Sequence, residues 1–427
     1  MKPWTLGIAI ATSAVLISGI WLLNRPSPTT TNQTHTTQQQ PTTPNSELLN
    51  GSNQFAFNLF KEITRAGYEA TGQRPTIVRD RSPNSIFSPL GVQFVLTLFL
   101  NGAEGETYDE IAHALGFQHA SLEAINQFHL DIQQRLRRWQ ADSKLVLANS
   151  IWTNPSSRLH PDFERVGKAY YALEAYQVDF SNPVEAARRI NEWAKQKTHG
   201  FVPKVLEPRE ITSDTILAIA NALYLRALWA QPFQVLEEPL EFNLESGKRV
   251  KVPGMEATLE GVPYVKTELC EIVGLPYRGG DWVCYVVLPR SGLSVEELVS
   301  ELDAARWEEW LGQMKAQQVQ VVMPRFEVKS EYDLIPALKE LGIRQAFARG
   351  GFPRILAGED AGYINLFKQV GRVRVDERGT EAAAVTIAMT RAVVLTPFVV
   401  DRPFVFVISD RSSGVILFMG IVRAPSG

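Results

Sequence analysis

The chain has 427 residues, 45% of them hydrophobic and 21% charged, with a formal net charge of −3. That balance describes an ordinary soluble globular protein and has no basic excess that would hold nucleic acid, so no nucleic-acid partner is expected. Two cysteines, Cys270 and Cys284, are too few for a disulfide scaffold.

Trp4 to Leu23, WTLGIAIATSAVLISGIWLL, is uncharged and almost wholly apolar, with Lys2 before it and Arg25 after it. It is long enough to cross a bilayer core as a helix. It ends in Trp21, Leu22 and Leu23 rather than in small residues, which favours an uncleaved anchor over a cleaved signal segment. Either reading makes residues 1–25 an export or membrane segment, with the rest on the periplasmic or extracellular side. Residues 26–46 are rich in Thr, Gln and Pro and cannot bury enough surface to fold, so they read as a tether. No comparable break follows, and residues 47–427 are expected to form one domain, a monomer.

Within that domain, Ser52 to Arg65 repeats apolar residues at Phe55, Leu59 and Ile63, a helical face. Ser88-Pro89 opens a buried helix that runs to Leu100 and closes at Asn101-Gly102, and Thr107 is expected to cap another reaching Leu115. DIQQRLRRWQ at 131–140 is amphipathic, and its Arg135, Arg137 and Arg138 sit beside Asp131 and Asp142. It reads as a solvated face, with a polyanion site as the alternative. KLVLANSIW at 144–152 alternates as a strand, and PDFERVGKAYYALEAYQVDF after it passes from helix to edge strand. Ala187 to Phe201 reads as a helix closed by Gly200, with His199 in its last turn. Thr215 to Trp229 has the composition of a strand buried on both faces. VKTELCEIVGLPY and DWVCYVVLP fit a hairpin turning at Arg278–Asp281. In that register the cysteines do not face one another, so two half-buried free thiols are expected, with a disulfide left open.

Catalytic machinery is missing from this inventory. There is no GxSxG, no phosphate-binding loop, no HExxH and no CxxC, and the six histidines are scattered. No enzymatic turnover, metal or cofactor is expected.

The last chemically distinctive stretch is Val375 to Pro403. From Thr380 to Met389 small residues alternate: Thr380, Ala382, Ala384, Thr386 and Ala388 against Glu381, Ala383, Val385, Ile387 and Met389. As a strand, one face would be uniformly small; as a helix, the same run has high alanine propensity. Gly379 supplies a flexible pivot ahead of it. GTEAAAVT at 379–386, followed by DRPFVFVISD at 401–410 and GVILFMGIV at 414–422, resembles the reactive-loop hinge and C-terminal strands of the serpin family. The resemblance extends to Asn84 with Ser88-Pro89-Leu90 and the GAEGET turn, and to Asn191, Trp193, Thr198 and Gly200 in INEWAKQKTHG. It continues through Asn221 and Trp229, VGLPY at 273–277, VVLP at 286–289 and VVMPRFEVKSEYDL from Val321. There are two departures. Gly91 stands where the family commonly has serine, and Gln369 where many members have a histidine that bonds across the sheet.

The resemblance implies an α+β serpin fold: three β-sheets, about eight or nine helices and an exposed reactive loop near the C-terminus. It also implies a suicide-substrate inhibitor of serine proteases. A protease would cleave the loop, and the hinge, Glu377 and Gly379 through Thr386, would insert into the central sheet. Asn84, Ser88, Asn221, Trp229 and Gln369 would make up the region where that sheet opens. The family's spacing puts the scissile bond at Ala392-Val393 or Val393-Val394, for an elastase-like pocket, with cleavage after Arg391 by a trypsin-like enzyme as the alternative. Papain-like targets and a non-inhibitory carrier or chaperone role remain open.

Overall fold

The computed structural model of the chain describes residues 44–69, 84–138, 143–212, 214–357, 362–380 and 395–425. The expected anchor, most of the tether and the loop residues 381–394, which include Glu381, Ala382, Ala383, Ala384, Val385, Thr386, Arg391, Ala392, Val393 and Val394, lie outside the described residues. Among the described residues, no helix is long and apolar enough to cross a membrane.

Helix α1 (Pro44–Glu69) begins inside the stretch expected to be a tether. It buries Leu48, Phe55, Leu59 and Ile63, the predicted face extended by about two turns. A short strand, β1 (Ser85–Phe87), leads into α2 (Pro89–Leu100), whose residues are all buried. The Ser88 hydroxyl accepts from the Gly91 N–H and Pro89 fills the first turn, so the predicted helix entry forms as a side-chain cap. Helix α3 (Gly105–Leu115) starts two residues before the expected cap, with Glu104 at its N-cap; Thr107 is buried in its first turn instead. Next come α4 (Leu122–Arg138), β2 (Ser143–Thr153), α5 (Pro161–Tyr170), β3 (Glu174–Gln177) and α6 (Pro183–Lys197). Helix α6 stops short of the predicted Phe201. The Thr198 hydroxyl bonds the Ala194 carbonyl at 2.8 Å, and His199 (φ 52°) and Gly200 (φ 84°) take left-handed conformations that reverse the chain. His199 therefore lies beyond the helix, not in its last turn.

A single 3-10 turn at Pro208–Glu210 precedes β4 (Leu217–Leu228), in which only Arg226 and Leu228 are not buried. Then follow β5 (Gln234–Val235), β6 (Leu240–Asn243), β7 (Arg249–Val252), β8 (Gly254–Lys266), β9 (Cys270–Pro276) and β10 (Trp282–Pro289). After them come α7 (Val295–Glu301), α8 (Ala304–Gln313), β11 (Lys315–Pro324), β12 (Phe326–Asp333) and α9 (Ile335–Glu340). The chain ends with β13 (Leu366–Val375), β14 (Gly379–Thr380), β15 (Thr396–Val399), β16 (Phe404–Asp410) and β17 (Ile416–Val422).

The strands form three sheets, an α+β architecture with the expected number of layers. The six-stranded sheet runs β12-β13-β4-β2-β3 with β14 set against β4; a nine-stranded sheet runs β1-β17-β16-β10-β9-β8-β11-β15 with β5 on β8; β6 and β7 pair alone. Alternation along β4 divides the six-stranded sheet between two cores. Leu217, Ile219, Leu223 and Leu225 join the larger core with α1, α2 and the nine-stranded sheet, whereas Ala218, Ala220 and Ala222 face α6. In the β9–β10 hairpin Cys284 opposes Leu275 and Cys270 opposes Pro289. Both thiols are free, and buried rather than half-buried. Burial pushes Cys270 up to about 11 and Cys284 up to about 12.

Candidate functional site

The site lies at the seam between β4 and β13. These strands run parallel, paired from Leu366 opposite Ala218 to Arg372 opposite Tyr224. Beyond that point they part: Val373 to Val375 pair only with β12, while β4 continues to Leu228. Into the mouth so formed the chain folds back. Asp376 and Gly379 close a four-residue turn, the Asp376 N–H donating to the Gly379 carbonyl at 2.9 Å and the Gly379 N–H to the Asp376 carbonyl at 3.2 Å. Strand β14 then pairs antiparallel with β4, Gly379 opposite Leu228 and Thr380 opposite Ala227.

Glycine is required at 379. Its φ is 144°, and a Cβ there would stand 2.2 Å from the Ala227 carbonyl oxygen and 2.7 Å from the Leu228 Cα. Trp229, buried at the top of β4, holds the turn from beneath. Its N–H donates to the Arg378 carbonyl at 3.0 Å and its Nε1 to the Asp376 carbonyl at 2.9 Å. The indole lies flat on Tyr277, with ring centroids 4.6 Å apart at 9°. The Phe233 N–H donates to the Glu377 carbonyl at 2.8 Å. The Glu377 carboxylate meets Arg325 at 3.3 Å, and Arg378 reaches back to Asp376 at 3.2 Å. The turn is thus tied to β4, to the segment after it and to the chain entering β12.

Lower on the seam, on the α2 face, Gln369 is fully buried. Its Oε1 accepts from the Ser88 N–H at 2.9 Å and its Nε2 donates to the Ser88 carbonyl at 3.0 Å. The bond expected to cross the sheet therefore goes to the first turn of α2, because a flexible amide matches the backbone donor and acceptor there together. Asn221, directly across the seam, instead donates to Asn149 on β2. Its Oδ1 is buried without a hydrogen-bond partner among the described residues. Gly91 explains the arrangement: a Cβ at that position would come within 2.8 Å of the Asn221 amide nitrogen. Asn84 is apart from this cluster; its side chain bonds the backbone of Arg423 and Ala424 near the C-terminal end.

The far side of the loop is anchored on the other sheet. Strand β15 runs parallel to β11, with Thr396 opposite Val319, and Leu395 and Val399 are exposed. Arg402 follows with two bonds to the Pro289 carbonyl, at 3.0 and 2.7 Å. Residues 381–394 therefore connect an anchor on the six-stranded sheet to one on the nine-stranded sheet.

Of the expected site residues, the structure brings Glu377, Gly379, Thr380 and Trp229 together at the mouth and Ser88, Asn221 and Gln369 together along the seam. Sequence reasoning missed Asp376, Arg325, Tyr277 and Asn149. It also missed a buried pair, Lys368 with Glu210. The signal for Lys368 was present: a lysine between Leu366 and Val370 in a strand whose first six residues are all buried. Among the described residues no cluster of His, Cys, Asp or Glu could hold a metal.

Comparison with known proteins agrees with this geometry. Residues 50–425 match the family model Serpin (serine protease inhibitor). Human neuroserpin is 30% identical over 355 residues, 80% of this chain and 86% of its own length. Bovine leukocyte elastase inhibitor is 28% identical over 397 residues, 89% of this chain and all of its own. The native-state structure of the thermophilic serpin Tengpin superposes with a TM-score of 0.77 at 26% identity, covering 88% of this chain and 94% of that one.

Proposed function

The chain belongs to the serpin family, which comprises protease inhibitors together with non-inhibitory members, and we propose that it is a single-use inhibitor of serine proteases with an elastase-like target. The observation that carries this reading is the mouth above Tyr224 and Arg372, already entered by Gly379 and Thr380 in antiparallel register with β4. A protease serine attacks the scissile carbonyl in the loop, the new amino terminus leaves with the C-terminal segment, and an ester joins the enzyme to the hinge. The hinge then extends β14 down the seam.

The register already set at Gly379 and Thr380 fixes where each residue would arrive. Continued one residue at a time along β4, it puts Glu381 opposite Arg226, Ala382 opposite Leu225, Ala384 opposite Leu223 and Thr386 opposite Asn221. Arg226 is exposed, so the Glu381 carboxylate would land beside an exposed cation, a favourable cross-strand pair. Small residues land on the α2 side, where α2 leaves little room. Thr386 would land where Asn221 has an acceptor without a partner among the described residues.

Insertion replaces one parallel ladder, Leu366–Arg372 on Ala218–Tyr224, by two antiparallel ones, which are slightly stronger per residue. Each added ladder bond contributes about 1 kcal/mol net. Over about a dozen residues, and with the inward side chains buried, the gain is more than about 10 kcal/mol, enough to hold a distorted acyl-enzyme.

The aliphatic residues Ala392, Val393 and Val394 suit a shallow apolar primary pocket, and kinship with leukocyte elastase inhibitor supports that choice. Arg391 makes a trypsin-like enzyme the alternative target. The apolar segment at 4–23 suits export, with the domain held at the membrane or released. The test is incubation of the full chain with a pancreatic-type elastase and, separately, with trypsin. A band of protease plus inhibitor that survives denaturant is expected with elastase, and the mass of the released C-terminal fragment names the bond. Clean cleavage with no such band for either enzyme would sink the inhibitory reading and favour a carrier or chaperone role.

A further inference from the structure

The seam is closed on its α6 face by the segment that returns from α6 to β4. Ala218, Ala220 and Ala222 of β4 and Leu366 and Val370 of β13 belong to one apolar cluster with α6 and with Val202, Val205, Leu206 and Ile211 of the segment that returns from α6 to β4. Lys368 lies between Leu366 and Val370 on that face, opposite Ala220. Among the described residues it is the only lysine or arginine that is buried.

Two carboxylates face its ammonium group. One is Glu210, in the returning segment; the Lys368 and Glu210 side chains are each 3% exposed and in direct contact. The other is Glu331 on β12, 3.5 Å away and 24% exposed. They lie on opposite sides of the seam. Glu331 sits on the strand hydrogen-bonded to β13. Glu210 belongs to a segment fastened to α6, where the Asn191 amide bonds the backbone of Val205 at 2.7 Å and of Leu206 at 2.9 and 2.8 Å. The Glu207 N–H holds the Glu210 carboxylate at 2.7 Å. Helix α6 in turn is fixed to the far edge of the sheet, since Glu174 of β3 accepts from Trp193 at 2.9 Å and pairs with Lys197.

Placing one more strand between β4 and β13 moves them apart by about 4.8 Å, more than a direct ion pair can follow while its carboxylate stays fastened to α6. We propose that the Lys368–Glu210 pair is a latch across the seam, closed in the intact protein and released when the sheet opens, with Glu331 retaining the ammonium group on its own side. Breaking a buried pair outright would strand its charges; Glu331 keeps the ammonium group paired, and the Glu207 N–H keeps a bond to the Glu210 carboxylate. As a control on the timing of insertion the latch rests on the inhibitory reading, but its existence can be tested without a protease.

The measurement is amide hydrogen exchange of the full chain over β4 between Ala218 and Tyr224, in the wild type, in Glu210→Gln/Lys368→Met and in Glu331→Gln. Replacing both members of the pair avoids leaving a bare buried charge, and the thermal midpoint of the double variant checks that it folds. Exchange at least about tenfold faster in the double variant at an unchanged midpoint, with Glu331→Gln within about twofold of wild type, is the expected result. Exchange equal to wild type in the double variant would overturn the latch. So would a Glu331→Gln variant that loosens the seam equally. Faster exchange in a protein that forms no adduct with any protease would leave the latch standing and remove the inhibitory reading.

Discussion

Single groups set how firmly the hinge is seated. Trp229→Phe keeps most of the stacking on Tyr277 but removes the Nε1 donor from the Asp376 carbonyl; a loss of about 1–2 kcal/mol in unfolding free energy is expected by denaturant titration. Gly379→Ala should cost about 1–3 kcal/mol by the same measurement, because the left-handed φ and the Ala227 carbonyl both oppose a Cβ. His129 makes a different prediction. It is fully buried among Phe94, Phe117, Phe128 and Tyr171, neither ring nitrogen has a hydrogen-bond partner among the described residues, and burial lowers its pKa to about 3. Its folded pKa is depressed, so the stability it contributes is present above the unfolded value near 6.5 and is lost as pH falls toward 3. His129→Phe should therefore remove up to about 1.4 kcal/mol per pH unit of the acid destabilisation between roughly pH 6 and 4. Unfolding curves at several pH values check the slope.

At the scale of elements, β4 was legible because an apolar run of strand length with no polar face has few other uses, and the structure buries it on both sides. Helix ends were less legible. Helix α6 was expected to run to Gly200, but the Thr198 hydroxyl competes for the helix carbonyls and ends it at Lys197. The ambiguity between helix and strand from Thr380 onward was real in the residues, since alanine serves either. The structure places Gly379 and Thr380 in a strand in register with β4; the rest of that run lies outside the described residues. That register also yields a test of the element as inserted. Thr386→Val should leave the intact protein unchanged and lower the stability of the loop-cleaved form by about 1 kcal/mol, measured by thermal unfolding, if the hydroxyl reaches the Asn221 acceptor. The Lys368–Glu210 pair was illegible for another reason: its members are far apart in sequence, and only the fold of the returning segment brings them together.

For the whole molecule, the organising fact is that one loop is fastened to two different sheets, to β4 at Thr380 and to β11 at Thr396. Under the proposed mechanism, the second anchor would limit how far the hinge travels down the seam while the loop is intact, and a cut between the anchors would remove that limit and let the sheet take up another strand. The family and its three-sheet architecture were readable from short motifs spread along the chain from Asn84 to Val422. The coupling between the mouth, the α2 face and the α6 face was not readable, being made of contacts among distant segments. The decisive measurement is the thermal unfolding of the full chain before and after a single cut between Ile387 and Val394. The account predicts a cleaved form that unfolds higher by on the order of ten degrees or more, as the gain of a buried strand requires. A cleaved form that unfolds at the same temperature as the intact protein, or below it, would contradict insertion.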